Sequence, residues 1–170
     1  MNKFSIIVPT LNSYFLLKNL IKSIKFQSWQ FWDLVFIDGG SEETHLNFLK
    51  NVCESEKRFR FFTQSKERKD IFGAMNQGLD IVDKNTWIIF LGSDDEFLDN
   101  YVLEKLNTKI NNLNLHSQDL IITKGRYFDI KKSNFSREAY FNNKEKESFI
   151  NYRDYRNLLF KGFTPPHQTT

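Results

Sequence analysis

The run FSIIVPTLNSYFLLKNLIKSIKF, residues 4–26, sets the fold class. Phe4-Ser5-Ile6-Ile7-Val8 is a compact, β-branched apolar run, and Pro9 closes it because proline has no N–H for a strand ladder. That is the pattern of a buried strand. The period then changes. Leu16, Leu17, Leu20, Ile21 and Ile24 recur at spacings of three and four, while Lys18, Lys22 and Lys25 fall on the other side. This predicts an amphipathic helix over Tyr14–Phe26, with Asn12 or Ser13 as its N-cap.

The same rhythm repeats downstream. Leu34–Ile37 reads as a strand ending at Asp38-Gly39-Gly40, Thr44–Glu54 as a helix, and Phe59–Phe62 as a short strand. Asp70–Val82 is predicted helical, with Ile71, Met75, Leu79 and Val82 on one face. Trp87–Leu91 is apolar at every position, which suits a strand covered on both faces. Asn100–Leu113 reads as a helix and Leu120–Thr123 as a fifth strand. Strands alternating with helices predict an α/β fold, a mostly parallel sheet flanked by helices and joined by right-handed crossovers. Near residue 125 the rhythm fails. Arg126–Ser148 is polar and irregular, Tyr152–Phe160 has a helical pattern, and Gly162–Thr170 carries Pro165-Pro166. The expected division is an α/β core over 1–125 and a separate region over 126–170.

Composition narrows the function classes. Hydrophobic residues make up 40% and aromatics 16% of the 170 residues, enough for one packed domain without a disulfide or metal staple. The net charge is only +3, and the densest basic stretches (Lys66–Lys69 and Lys131-Lys132) contain or adjoin acids, so no basic face for nucleic acid is expected. Cys53 is the one cysteine, which excludes an internal disulfide and suits a reducing compartment. Its place in an amphipathic helix favours a buried thiol over a nucleophile. No run approaches the roughly 18 apolar residues of a membrane span, and the expected location is cytoplasmic.

In open α/β sheets ligands bind beyond the carboxyl ends of the strands. Three segments deliver polar residues there: Pro9-Thr10-Leu11-Asn12, Asp38-Gly39-Gly40-Ser41 and Gly92-Ser93-Asp94-Asp95-Glu96. Adjacent Asp94 and Asp95 repel unless a cation or solvent relieves them, and carboxylates with substrate phosphates suit Mg²⁺ or Mn²⁺. On spacing alone an equal reading is a solvated turn whose acids cap the helix beginning near Asp99 or Asn100. Asp38 has the same ambiguity between accepting a nucleobase N–H and holding an Asp-Gly turn. Gly39-Gly40 lacks the spaced third glycine of a dinucleotide fingerprint, which argues against a hydride-transferring enzyme. His167 beside Gln168 is a ligand or a loop residue, and His45 and His116 receive no role.

Taken in order, these pieces resemble the family-two glycosyltransferases of the GT-A fold. Ser5-Ile6-Ile7-Val8-Pro9-Thr10-Leu11-Asn12 looks like their opening strand and base-binding loop. Phe36-Ile37-Asp38-Gly39-Gly40-Ser41 looks like their second strand, and Ile71-Phe72-Gly73-Ala74-Met75-Asn76-Gln77-Gly78 like their Ile-Tyr-Asp-Ala-Met-Asn-Lys-Gly helix motif. Ile89-Phe90-Leu91-Gly92-Ser93-Asp94-Asp95 matches the strand entering the metal-binding acidic motif. Pro166-His167-Gln168 is similar to a His-Gln pair in bacterial surface-polysaccharide transferases.

The resemblance implies inverting transfer of a sugar from a nucleotide-sugar, a UDP-sugar by preference, to a saccharide or lipid-linked saccharide acceptor. It allows peripheral association at the inner face of a membrane. Asp38 would take the uracil N–H, with Pro9, Thr10 and Asn12 lining the base and Ala74 and Asn76 shaping the pocket floor. Asp94 would approach the ribose or metal, Asp95 would hold Mg²⁺ or Mn²⁺ against the diphosphate, and His167 is a further candidate ligand. Three departures stand out. Gly73 replaces a frequent Asp whose contact would be lost, and Lys66–Asp70 does not align with the family's Glu-x-Asp-x-Gly, so Asp70 receives no role. The family's general base follows the His-Gln segment, so it is expected beyond Thr170 and no catalytic base is assigned here. Residues 126–170 would begin the acceptor side. The alternatives are a nucleotide-sugar-binding module lacking the base and an unrelated flavodoxin-like nucleotide binder.

Overall fold

The computed structural model describes residues 1–115, 121 and 123, and the strands Gly125–Asp129 and Asn134–Ala139. Four parallel strands, β1 (Phe4–Thr10), β2 (Trp32–Asp38), β3 (Phe59–Thr63) and β4 (Trp87–Phe90), form a sheet in the order β3-β2-β1-β4. Between and after them lie α1 (Tyr14–Lys25), α2 (Glu43–Ser55), α3 (Asp70–Ile81) and α4 (Val102–Asn112). The chain divides into two compact units, Met1–Asn114 and Leu115–Thr170. In the second, β5 (Gly125–Asp129) and β6 (Asn134–Ala139) pair antiparallel, with an irregularity between Tyr127 and Phe128. The polar stretch read as irregular therefore contains a hairpin, whose strands lack the alternating apolar pattern that reveals most strands. Ile121 and Thr123 belong to no strand, and Leu120, Ile122, Tyr152–Phe160 and His167 lie outside the described residues.

Pro9 does not end β1. The ladder with β2 runs on through Pro9↔Ile37 to Thr10↔Asp38. In a parallel ladder the N–H and C=O of one residue face the same neighbour. Ile7 O accepts from Leu91 N and Thr10 O from Gly39 N, so odd-numbered residues of β1 face β4 and even-numbered ones face β2. Pairing with β4 stops at Ile7↔Phe90. The N–H that Pro9 lacks would point past the end of β4, where no ladder bond is lost.

The two sheet faces follow from the alternation of side chains along a strand. Ile7, Val35 and Ile37 pack with Ala74 of α3 and with Val82. Ile6, Val8, Leu34 and Phe36 are fully buried on the other face, and Leu17, Leu20 and Ile24 of α1 are buried as the helical period requires. Each such side chain contributes roughly 1.5–3 kcal/mol of burial. The residues of β4 are half-buried instead of doubly covered, because β4 is the edge of the described sheet.

Helix ends are fixed differently from expectation. Ser13 is the N-cap residue of α1 by position, yet its hydroxyl bonds Thr10 Oγ1 at 2.8 Å and not the helix. Asp70, at φ 62°, accepts Phe72 N–H and Gly73 N–H on Oδ1 and so caps α3. A Cβ on Gly73 would stand 2.6 Å from the Arg68 carbonyl carbon. The backbone of Arg68 occupies the space a side chain at position 73 would need, which accounts for glycine there.

Gly78 lies against Ile7 with no room for a further methyl group. Gly78→Ala gains about 1 kcal/mol of helix propensity, but overpacking of a filled core costs about 1–3 kcal/mol. With the clash falling on a β-branched side chain of an inner strand, the cost lies in the upper part of that range, about 2–3 kcal/mol, and a net loss of roughly 1–2 kcal/mol is expected. Urea denaturation should show a lower midpoint at unchanged slope; an equal or higher midpoint would contradict this packing.

Candidate functional site

The strand order reverses beside β1: the chain steps outward through β2 and β3, then returns to place β4 on the other side. Such a switch point opens a crevice beyond the carboxyl ends of the strands. Here the loops after β1, β2 and β4 meet. Gly39 N–H donates to Thr10 O at 2.9 Å, and Ser93 Oγ donates to Pro9 O at 3.0 Å.

Thr10 and Asp38 form the last rung of the β1–β2 ladder, on the face opposite α3. Asp38 is fully buried. Its Oδ2 accepts Gly40 N–H and Ser41 N–H, each at 3.0 Å, across a turn in which Gly40 has φ 95°. Its Oδ1 has no hydrogen-bond partner and faces His45 Nε2 at 3.7 Å. That same Nε2 lies 3.1 Å from Thr10 Oγ1. Asn12, at φ 49°, donates its N–H to Ser41 Oγ and accepts Glu42 N–H on Oδ1, both at 2.8 Å. Asp38, expected to take a uracil N–H, is enclosed in this structure. Asp38 holds the β2–α2 turn.

The acidic pair is arranged otherwise. Asp95 Oδ2 accepts Gly92 N–H at 2.8 Å, and Asp95 N–H returns to Gly92 O at 3.1 Å. Asp94 Oδ1 and Asp95 Oδ2 would each stand 3.0 Å from a Cβ on Gly92, so the two carboxylates converge on one side of that glycine. Asp94 is exposed and Asp95 half-buried. The helix-capping alternative falls to a neighbour: Asp99 Oδ1 accepts Tyr101 N–H at 2.8 Å at the start of α4. Among the described residues no three His, Cys, Asp or Glu side chains gather as a metal cage. Two convergent carboxylates fit Mg²⁺ or Mn²⁺ when phosphates and water complete the octahedron.

The structure does not bring every candidate to this crevice. Ala74 is buried in the core with Ile7, Val35 and Ile37. Asn76 is exposed and lines a cleft of about 410 Å³ with Arg68, Leu79 and Asp80, where Arg68 and Asp80 are paired at 2.5 Å. His45, passed over in the sequence, is 1% exposed at the centre of the loop junction. The available signal was its spacing of four from Leu49, which puts an imidazole on the buried stripe of α2.

Burial lowers the pKa of His45 below the usual 6.5, and the opposing pull of Asp38 is the smaller effect. The unfolded chain therefore binds a proton more readily at this residue than the folded one. Stability from this source is complete above about pH 6.5 and is lost as pH falls toward the folded value. Melting temperature should decline between pH 7 and pH 5, and His45→Gln should flatten that decline. The depressed carboxyl of Glu56, held at about 2 by Arg58, acts only at lower pH. An unchanged slope in His45→Gln would contradict the assignment.

Comparison with known proteins gives the family and the fold. The model of glycosyl transferase family 2 matches residues 5–165. A Campylobacter jejuni protein named GalNAc(5)-diNAcBac-PP-undecaprenol beta-1,3-glucosyltransferase is 30% identical over 162 residues, covering 95% of this chain and 50% of its own length. An uncharacterized glycosyltransferase of Haemophilus influenzae is 35% identical over 125 residues, covering 72% of this chain and 46% of its own. The chain thus spans about half the length of these relatives. Among solved structures, S. aureus TarS superposes with a TM-score of 0.58 at 21% identity, over 66% of this chain and 20% of that one. The mannosyltransferase PcManGT from Pyrobaculum calidifontis, in complex with GDP-Man and Mn²⁺, gives 0.55 at 15% identity, over 72% and 34%. A four-stranded parallel sheet flanked by helices, matched in sequence along nearly its whole length, makes this chain a member of glycosyl transferase family 2 with the GT-A fold.

Proposed function

We propose that this chain binds the donor for a glycosyltransferase that moves a sugar from a nucleotide-sugar, preferentially a UDP-sugar, to a saccharide or lipid-linked saccharide with inversion. The observation that carries the reading is the convergence of Asp94 and Asp95 beside Gly92, at the switch point where Ser93 ties β4 to the β1 loop. Pro9, Thr10, Asn12 and the Gly39–Ser41 backbone would border the nucleoside, with Asp38 shaping that border from beneath. Asp94 and Asp95 would hold Mg²⁺ or Mn²⁺, and the bound metal would supply charge stabilisation for the departing diphosphate. Ala74 and Asn76 remain candidates for the pocket floor, and His167 a candidate ligand.

TarS has been solved with UDP-GlcNAc and PcManGT with GDP-Man and Mn²⁺, which supports a nucleoside diphosphate donor and divalent metal. The Campylobacter relative is named for an undecaprenol-linked substrate, which supports a lipid-linked acceptor; peripheral work at the inner face of a membrane is part of the same proposal. No helix among the described residues is long and apolar enough to cross one. The catalytic base is not assigned. A chain that binds donor without turnover is the second reading, since none of the residues given a role above is a catalytic base.

Because Asp95 also accepts Gly92 N–H, Asp95→Asn is the informative variant: it keeps the hydrogen bond and removes the charge. UDP at about 100 times its Kd adds about 2.7 kcal/mol, a rise on the order of 5–10 °C in a chain of this size. Thermal shift should show that rise with Mn²⁺, little of it with EDTA, and none of the metal-dependent part in Asp95→Asn. Equal shifts with and without metal would refute the metal assignment, and a shift with GDP alone would replace the donor class.

A further inference from the structure

We infer that His45 is a positioning residue for the nucleotide pocket: through one nitrogen it ties Thr10 of the first loop to the Asp38 turn of the second. The inference rests on the donor-site reading above.

The bonding leaves His45 few alternatives. Its Nε2 meets Thr10 Oγ1 at 3.1 Å and the unpartnered Asp38 Oδ1 at 3.7 Å, both on one side of the ring. Nδ1 is buried and without a hydrogen-bond partner. A proton on Nε2 gives Thr10 a donor and points a dipole at the carboxylate, whereas a proton on Nδ1 would be an orphaned buried donor. The neutral Nε2–H form is therefore the bound tautomer. Thr10 then accepts from His45 and donates onward to Ser13 Oγ at 2.8 Å. Burial keeps the ring neutral, so it does not compete with Gly40 and Ser41 for the Asp38 charge.

The two loops are joined at their outer edge by Asn12 with Ser41 and Glu42, and at the strand ends by Gly39 with Thr10. His45 closes the same junction from beneath. Without its donor, Thr10 loses its tie to α2 and Asp38 Oδ1 faces an empty or apolar space. Asp38 Oδ1, already without a hydrogen bond, then also loses the facing Nε2–H dipole, and the carboxylate is drawn toward solvent, taking the Gly39–Ser41 backbone with it.

The test combines exchange and binding on the full chain. In His45→Leu, amide hydrogen exchange at Asn12, Gly39 and Glu42 should quicken about tenfold or more, while amides of β3 and α4 keep their rates. By calorimetry the Kd for UDP with Mn²⁺ should rise about tenfold. His45→Gln, which restores an N–H near the Nε2 position, should recover most of both effects; a packing role alone would not be rescued this way. Wild-type exchange and Kd in His45→Leu would overturn the inference, as would failure of the Gln variant to recover either. If His45→Leu does not fold, Thr10→Val must show both effects, and wild-type behaviour there overturns it. If the wild-type chain takes up neither UDP nor GDP, the donor reading falls by itself. Exchange at Asn12, Gly39 and Glu42 then decides the tie between the loops: quickened rates support it and unchanged rates overturn it.

Discussion

A carboxylate sealed beneath the carboxyl edge of the sheet is the constraint on which the rest of the site depends. An unpaired buried charge costs several kcal/mol, so Asp38 must be held by its surroundings. Gly40 and Ser41 supply two backbone N–H groups to one oxygen, which requires the tight turn that only the positive φ of Gly40 permits without strain. That turn aims Ser41 and Glu42 at Asn12, and the strand pairing through Thr10 aims His45 at both loops. The entrance to the crevice is therefore specified from below, by buried polar groups, before any ligand arrives.

The contrast with Asp94 and Asp95 shows how environment assigns roles to the same side chain. All three aspartates follow apolar strands and sit in glycine-containing turns. Asp38 stands in the last rung of two paired strands, against His45 of α2, where no solvent reaches it. Asp94 and Asp95 follow β4, whose far side is uncovered in the described sheet, and they converge in partial exposure. A sealed carboxylate organises backbone; an accessible pair suits a cation and phosphates.

Much of the fold was legible in the sequence because burial here follows simple periods. The three-and-four spacing of Leu17, Leu20 and Ile24 and the apolar run at Ile6–Val8 place their elements within a residue or two of those observed. Pro9 misled because proline is excluded from a ladder only where its N–H is needed, and that depends on where the neighbouring strand stops. The Trp87–Leu91 run is half-buried among the described residues; apolar composition does not report how fully each face of a strand is covered. The paired strands Gly125–Asp129 and Asn134–Ala139 were hidden because their sequences show no regular apolar alternation. In the site, the positions of the three loops could be read, since topology delivers every strand end to one edge. What could not be read was which side chains turn inward there: a turn sequence such as Asp-Gly-Gly is the same whether its carboxylate is enclosed or open, and a histidine on a helix shows its role only once the opposite strand is in place.

The central claim is that one crevice, bounded by the loops after β1, β2 and β4, receives the nucleoside diphosphate and its metal. Backbone amide chemical shifts during titration of the ¹⁵N-labelled chain with UDP and Mg²⁺ test it most directly. The account predicts saturable shifts at Thr10–Asn12, Gly39–Ser41 and Gly92–Asp95, with the opposite strand ends at Phe4, Trp32 and Trp87 left in place. Shifts concentrated at those opposite ends, or around the Arg68–Asp80 cleft with the three loops undisturbed, would contradict it.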